Sequence, residues 1–273
     1  PTSWDPCASH ETSWYNGYVN QANTIAEKVR LLVPGRVAGA TGRLGIVLFI
    51  LAIPTFLVTS NVRWTFNDLR LYRYGFEQYN VVRTTGLDMG QLMMVARDIR
   101  DYFNSSQELL DTRVSIGGEV RALFNEGEIL HMRDVKGLVR GVYRLQEGAG
   151  AYIVGYAIVV LLATRGRSAR ALTGRVLVGS LLTVGLFAFG GLASLVGFDR
   201  LFDQFHVLSF SSGTYTFDPR YNYLTRLFTE GFFLQATLFI AMSAMLQAVL
   251  MALGAWGIRK WVLKQGIIAA DPG

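Results

Sequence analysis

Four long stretches without a charged side chain are the feature that most constrains the fold of this chain. They cover residues 44–62, 148–164, 176–198 and 231–258 and contain 19, 17, 23 and 28 residues. A hydrocarbon core of about 30 Å is crossed by about 20 helical residues at about 1.5 Å each. Four such runs in 273 residues argue against the alternative of buried helices in a soluble core. The sequence therefore predicts four membrane spans, at about 43–62, 145–164, 175–198 and 231–258.

The distribution of Lys and Arg predicts how these spans are oriented. Four basic residues stand just before the first span, four stand between the second and third with no acid, and three follow the fourth against one acid. The other two segments are balanced, with 12 basic and 12 acidic residues in 63–147 and 3 and 4 in 199–230. Because basic segments stay in the cytoplasm, we expect a multi-pass plasma-membrane protein with both termini inside. The net charge of +6 thus indicates a membrane rather than a nucleic-acid partner.

The predicted fold class is an all-α membrane protein with four transmembrane helices and a mostly helical extracytoplasmic cap between the first and second. Only 17% of the residues are charged, against about 25% in soluble domains. The single cysteine, Cys7, excludes a disulfide scaffold and a cysteine zinc site. The predicted parts are a cytoplasmic N-terminal extension at 1–42, a transmembrane domain at 43–264 with the cap at 63–144 and an outer loop at 199–230, and a cytoplasmic tail at 265–273.

Helical periodicity occurs in two parts of the predicted cap. Apolar residues recur at helical spacing in 88–103, with charged residues on the other side. This amphipathic helix either packs on the core of the cap, which we favour, or lies on the membrane surface as a lid. A second helix is expected to begin near Glu126 and to merge into the second span, after a loop at Gly117 and Gly118. The aromatic residues that follow the first span suit an interfacial belt or an edge strand: Trp64, Tyr72, Tyr74, Phe76 and Tyr79.

Two of the three histidines fall in the segments expected outside the membrane. His131 comes shortly before the second span and His206 just after the third, whereas His10 lies alone in the N-terminal extension. Both outer histidines can therefore face one site at the outer leaflet. Asp134 follows His131 by three residues and shares its helix face, so its carboxylate can fix the tautomer and leave the other ring nitrogen as a base. A surface histidine beside an unrelated acid is the alternative.

Further polar residues of the same segments are candidates for substrate binding. Asp218 precedes Pro219 and can either orient a histidine or cap the helix that follows. Tyr215 can donate to an oxyanion or belong to the aromatic interface. Lys136 can meet an oxyanion or a phosphate, or simply be solvated, and Arg220 adds a positive charge to the second segment.

A glycine-rich pattern at 39–45 does not predict a nucleotide site. A dinucleotide fingerprint needs a preceding strand and a following amphipathic helix, whereas a membrane span follows here. The sequence also contains no Gly-x-Ser-x-Gly elbow, P-loop or His-Glu-x-x-His motif. We therefore predict no cofactor and no nucleotide or nucleic-acid partner.

Four blocks around the two outer histidines resemble a known family. They are EILHMRDVK at 128–136, FHVLSF at 205–210, FDP at 217–219 and LFTEGFF at 227–233. With the helix at 88–103 in the expected place, they make 43–264 similar to the four-span membrane family that includes the lipoprotein intramolecular transacylase. The resemblance implies an enzyme that moves an acyl chain from the diacylglyceryl group of a lipoprotein to the amine of its N-terminal cysteine. It also implies that His131 and His206 carry the chemistry.

This reaction fits the residues without a metal or cofactor. Transfer from an ester to an amide is downhill, and two imidazoles suffice as base and as acid or oxyanion donor. The expected partners are membrane lipids and a diacylglyceryl lipoprotein.

Two alternatives stay open. In a metal-dependent membrane hydrolase, His131, His206 and either Asp134 or Asp218 would supply three ligands. In the second alternative the protein is not an enzyme: the cap would be a binding or assembly module of a membrane complex, and the two histidines would be packing residues.

Overall fold

The structure, a computed structural model, describes residues 35–164, 166, 168–210 and 217–268. Its elements, in chain order, are α1 (Gly35–Asn67), α2 (Leu69–Gln78), α3 (Val81–Thr85), α4 (Met89–Asn104), β1 (Arg113–Ile116), β2 (Glu119–Ala122), α5 (Glu126–Ala163), α6 (Ala169–Ser209), α7 (Tyr223–Leu227) and α8 (Glu230–Ile268).

Four of these helices, α1, α5, α6 and α8, are long and apolar enough to cross a membrane. The predicted fold class, an all-α membrane protein with four spans, is confirmed. α5 is one unbroken helix of 38 residues, which makes it about 57 Å long. That is roughly twice the hydrocarbon thickness of about 30 Å. The second cap helix and the second span have therefore merged, as the sequence predicted.

Small residues allow the spanning helices to approach closely. α6 packs mainly against α8, and α1 touches the other three spans. Ala244 and Ala248 of α8 are fully buried in this bundle. Gly179 of α6 lies so close to α1 that an added Cβ would come within 2.9 Å of the Ile50 carbonyl oxygen. Such contacts are how helices associate in lipid, where no hydrophobic effect drives them together.

Polar side chains join the spans near the cap side of the bundle. Asn61 of α1 donates from Nδ2 to Gln247 Oε1 of α8 at 2.8 Å, and Gln247 Nε2 donates back to Asn61 Oδ1 at 3.2 Å. Two residues further along α1, Arg63 donates to Gln146 and Glu147 of α5. Because unsatisfied amides are costly in hydrocarbon, these bonds hold α1 in register with both neighbours.

The cap has its own apolar core, which is formed by α2–α4, the hairpin, α7 and the start of α5. α4 begins with a capping box between Asp88 and Gln91, and Gln91 Nε2 also donates to the Ser115 carbonyl of β1. The apolar face of α4 is buried in this core, which favours the packing interpretation over a surface lid. The buried residues of that face are Leu92, Met93, Val95, Ala96, Ile99, Tyr102 and Phe103.

The edge strand considered for the aromatic segment after the first span is wrong. Trp64 lies in α1, and α2 contains Tyr72, Tyr74 and Phe76. Asp68 caps α2 by accepting from Arg70 N, and the buried side chains on one face of α2 recur at helical rather than alternating spacing.

The strands of the cap form instead at 113–122, as an antiparallel hairpin. Gly117 and Gly118 make its turn with φ of +65° and +86°. A two-residue hairpin turn with both φ values positive favours glycine, since it has no Cβ.

The described residues of the segment 199–230, which was expected as an outer loop, are largely helical. α6 bends at Gly197, whose backbone is not helical, and then continues to Ser209. We call the part after this bend, 198–209, the terminal helix of α6. α7 follows at Tyr223–Leu227, and its Leu224 and Leu227 are buried in the cap core. As a result His206 projects from a helix and not from a loop.

We expect Gly179→Ala to lower the thermal unfolding midpoint of the purified protein. The new Cβ would press on the Ile50 backbone and on Ile53 Cδ1, 2.7 Å away, so α1 and α6 would have to separate. Overpacking of this kind costs about 1–3 kcal/mol. Gly185→Ala, on the same helix but with open space around the new Cβ, serves as the control and is expected to be neutral or slightly stabilising. Equal midpoints for both variants would contradict the close contact of α1 and α6.

Candidate active site

The structure brings His131 and His206 together at the junction of the cap and the spans. His131 lies in the second turn of α5, and His206 lies in the terminal helix of α6. Their ring centroids are 6.3 Å apart, and their ring planes differ by only 18°. Both side chains are half-buried. Two imidazoles separated by 74 intervening residues thus face one small volume.

The backbone fixes the tautomer of His206. Its Nδ1 lies 2.8 Å from the carbonyl oxygen of Phe202, one turn earlier in the same helix. A carbonyl oxygen only accepts, so Nδ1 carries the proton and donates it. In the neutral ring Nε2 then holds the lone pair, which is the form that a general base needs.

Aromatic side chains surround both imidazoles. Phe210 lies 4.7 Å from the His131 ring and 5.4 Å from the His206 ring. Phe202 packs edge-on against His206 at 4.3 Å, and Phe217 packs edge-on against His131 at 5.4 Å. These rings line the half-buried histidine pair with apolar surface.

Glu128, one turn before His131 on the same face of α5, is a site neighbour to which the sequence assigned no role. It is almost completely buried, and its two carboxylate oxygens accept from the backbone N–H of Asn125 and of Leu224. Its bond to Asn125 belongs to a capping box, which the Asn-x-x-Glu spacing signals. The second bond reaches α7, and no local pattern could have revealed it.

Asp134 lies in α5 three residues after His131, on the same face of the helix. Its side chain is about one third exposed, and its Oδ1 lies 3.9 Å from Arg133 Nε, which is a loose contact. Its role in orienting His131 stays a prediction.

Lys136 faces the core of the cap and not the histidine pair. Its Nζ donates to the Gln107 carbonyl, and it lies 3.9 Å from the centroid of the Tyr102 ring. Five residues beyond His131, it is turned by about 140° around the helix axis. The structure therefore places it as a tether for the loop after α4, although the sequence suggested an oxyanion or phosphate partner.

Asp218 and Arg220 form an exposed ion pair within the turn before α7. Arg220 Nη2 lies 2.6 Å from Asp218 Oδ2, and Arg220 N donates to Asp218 Oδ1. The pKa of Asp218 is lowered because the Arg220 side chain donates to its carboxylate. Asp218 thus caps this turn, while Asn222 is the N-cap residue of α7. Neither charge is brought to the histidine pair by these contacts, and Tyr215 lies outside the described residues.

The described residues do not form a metal site of the usual kind. In that part of the chain, no group of three or more His, Cys, Asp or Glu side chains is close enough together to hold an ion. Among the residues that the structure describes, the two imidazoles have no third ligand of the kind that a catalytic zinc site needs.

Comparison with known proteins assigns the chain to a family. The family model described as lipoprotein intramolecular transacylase Lit matches residues 47–233, which is more than half of the chain. The chain belongs to the Lit family. No curated protein is significantly similar to the chain in sequence. The family match includes α5 and α6 across both histidines, so the pair lies inside the segment that defines Lit.

Solved structures of Lit share the fold of this chain. The in meso structure of the membrane integral Lit from Bacillus cereus superposes with a TM-score of 0.68 at 18% identity, covering 84% of this chain and 99% of that one. A histidine-to-arginine variant of the same enzyme matches with a TM-score of 0.65 at 16% identity, over 85% and 96% of the two chains. This chain is accordingly an integral membrane acyltransferase of the lipoprotein-modifying Lit family.

We expect Lys136→Met to destabilise this Lit-family protein without changing its turnover number more than about threefold. The loop carbonyl at Gln107 would lose its donor, which costs about 1–3 kcal/mol of unfolding free energy. Thermal unfolding and acyl-transfer kinetics in detergent measure the two effects. Arg144→Met, an exposed change on the same helix, is the control. A selective loss of turnover in Lys136→Met would restore the oxyanion role that the sequence suggested.

Proposed function

We propose that this chain moves one acyl chain of a diacylglyceryl lipoprotein onto the α-amine of its N-terminal cysteine, at the outer leaflet, with His131 and His206 as proton carriers. The observation that carries the proposal is the near-parallel pair of imidazoles, 6.3 Å apart, inside the segment matched by the Lit family.

The reaction is a complete acyl transfer that needs only proton carriers. The amine nitrogen attacks the ester carbon, a C–N bond forms, and the tetrahedral oxyanion collapses with loss of the glyceryl oxygen. The proton lost by the amine is balanced by the proton gained by the leaving alkoxide. An α-amine with a pKa of about 7.7–8.0 is already partly neutral near pH 7. Donor and acceptor belong to one molecule, so their proximity contributes further to the rate.

The contacts of His206 support its assignment as the base. The Phe202 carbonyl holds the Nδ1 proton and directs the Nε2 lone pair away from the helix backbone. His131, on the opposing helix, then protonates the leaving oxygen or donates to the oxyanion. The aromatic rings beside the pair would pack against the apolar part of the bound substrate.

The terminal helix of α6 supports a position at the membrane surface. Leu201, Phe205 and Leu208 share one side and are 43%, 51% and 86% exposed, while the exposed Arg200 and Asp203 lie on another side. A helix of this kind rests with its apolar side in the acyl region and its polar side in water. His206 would then lie at the depth of the ester groups of a lipid.

An apolar cavity in the membrane domain supports a lipid substrate. It has a volume of about 320 Å³, lies between α1, α6 and α8, and is lined by side chains that include Pro54, Val58, Leu186 and Leu238. We assign it to an acyl chain of the substrate, whose head would reach toward the histidine pair.

We expect His131→Ala and His206→Ala each to reduce product formation by about 10²–10⁴-fold, the contribution of a general acid or base. Mass spectrometry of lipoprotein N-termini from cells that produce each variant measures the shift of one chain onto the amine. His10→Ala is the matched control and should retain wild-type activity. Full activity in both variants would refute the proposal, and release of free fatty acid in place of the N-acyl product would favour a hydrolase.

The single cysteine allows the orientation to be tested in intact cells. We expect Cys7 to resist a membrane-impermeant maleimide until the cells are lysed, because the N-terminus is assigned to the cytoplasm. In a Cys7→Ser background, a cysteine introduced by the exposed change Gln204→Cys should react before lysis. The reverse pattern would place the histidine pair on the cytoplasmic side and contradict the proposed site.

A further inference from the structure

Glu128 connects two chain segments that meet at the candidate active site. Only 1% of its surface is exposed. Its Oε2 accepts from Asn125 N at 2.9 Å, within α5, and its Oε1 accepts from Leu224 N at 2.8 Å, in α7. Hydrogen bonds to an ionised carboxylate are stronger than neutral ones. This one side chain therefore holds α7 against the first turn of α5.

α7 is bonded to the turn at 217–222, which contacts His131. Arg226 of α7 donates from Nε to the Pro219 carbonyl at 2.6 Å and from Nη2 to the Arg220 carbonyl. These bonds connect the turn at 217–222 directly to α7. Phe217 at the start of that turn packs edge-on against the His131 ring.

Glu128 thus reaches His131 by two routes. Along α5 it precedes His131 by three residues, on the same face of the helix. Through α7 and the turn it fixes Phe217, which limits the rotation of the His131 ring from the other side. We propose that Glu128 is a positioning residue that keeps the His131 ring aligned with His206; this rests on the proposed function of the histidine pair.

The alignment matters because proton transfer depends steeply on geometry. The two rings are within 18° of parallel, and a displacement of about 1 Å in a catalytic group can lower the rate about 100-fold. Glu128 does not line the apolar cavity assigned to the acyl chain, so it does not contact the bound substrate there. Loss of its hydrogen bonds should therefore affect the chemical step and not substrate binding. Its loss should therefore lower kcat and leave KM nearly unchanged.

The test compares Glu128→Gln with Glu126→Gln in the full-length protein. Glutamine keeps the size of Glu128 and one acceptor oxygen, but it points an NH₂ donor at a backbone N–H. Glu126 lies two residues earlier in the first turn of α5 and is exposed, so it receives the same chemical change without a bridge to α7. The substrate is a synthetic lipopeptide with a diacylglyceryl-cysteine N-terminus, and N-acylated product is measured by mass spectrometry.

We expect Glu128→Gln to lower kcat about 10–100-fold with KM within about threefold of wild type. Glu126→Gln should match wild type in both constants. Arg226→Gln breaks the next connection in the same route, so it should also lower kcat, and the double variant should lose less than the product of the two single effects. Circular dichroism checks that each variant is folded.

The outcomes separate this inference from the proposed function. If the wild-type protein forms no N-acylated product, the proposed function fails whatever Glu128 does. If the wild type is active and Glu128→Gln has the kinetics of Glu126→Gln, the positioning role is refuted. If Glu128→Gln does not fold, the test rests on Arg226→Gln. An unchanged kcat in folded Arg226→Gln would then overturn the inference.

Discussion

The structure depends on the rule that backbone N–H and C=O groups in hydrocarbon must bond to each other. That rule makes each of the four spans a helix. Because α5 and the terminal helix of α6 extend past the apolar runs, the same helices also carry His131 and His206. The membrane thus provides rigid supports for side chains that are far apart in the sequence. Close contacts such as Gly179 against α1 fix the supports relative to one another.

The cap contributes a wall to the site. α7 brings Phe217 to the His131 ring, and the bend at Gly197 lets the terminal helix of α6 place Phe202 and Phe210 around His206. Three charged residues that were candidates for the site make structural contacts instead: Lys136 holds a loop, and Arg220 pairs with Asp218. In the proposed function, two imidazoles that lie beside aromatic rings carry the proton transfer at a lipid ester.

The sequence predicted those features that arise from local patterns. Charge-free runs indicated the four spans, periodicity indicated α4, and the places of His131 and His206 relative to the spans indicated that they meet. The hairpin at 113–122 was missed because its strands are four residues long and largely exposed, which leaves almost no alternation to detect. The orientation of Lys136 and the bond from Glu128 to Leu224 depend on tertiary packing, in the second case across 96 positions. Patterns within one segment cannot encode such contacts.

The unbroken course of α5 has a consequence for the setting in which the protein works. α6 can absorb a change of tilt at its bend, whereas α5 transmits any tilt of its span along its full 38 residues to His131. Spans adapt to thicker or thinner bilayers by tilting. We therefore expect the spacing of the two imidazoles to change with bilayer thickness, because only one of their two supporting helices has a bend.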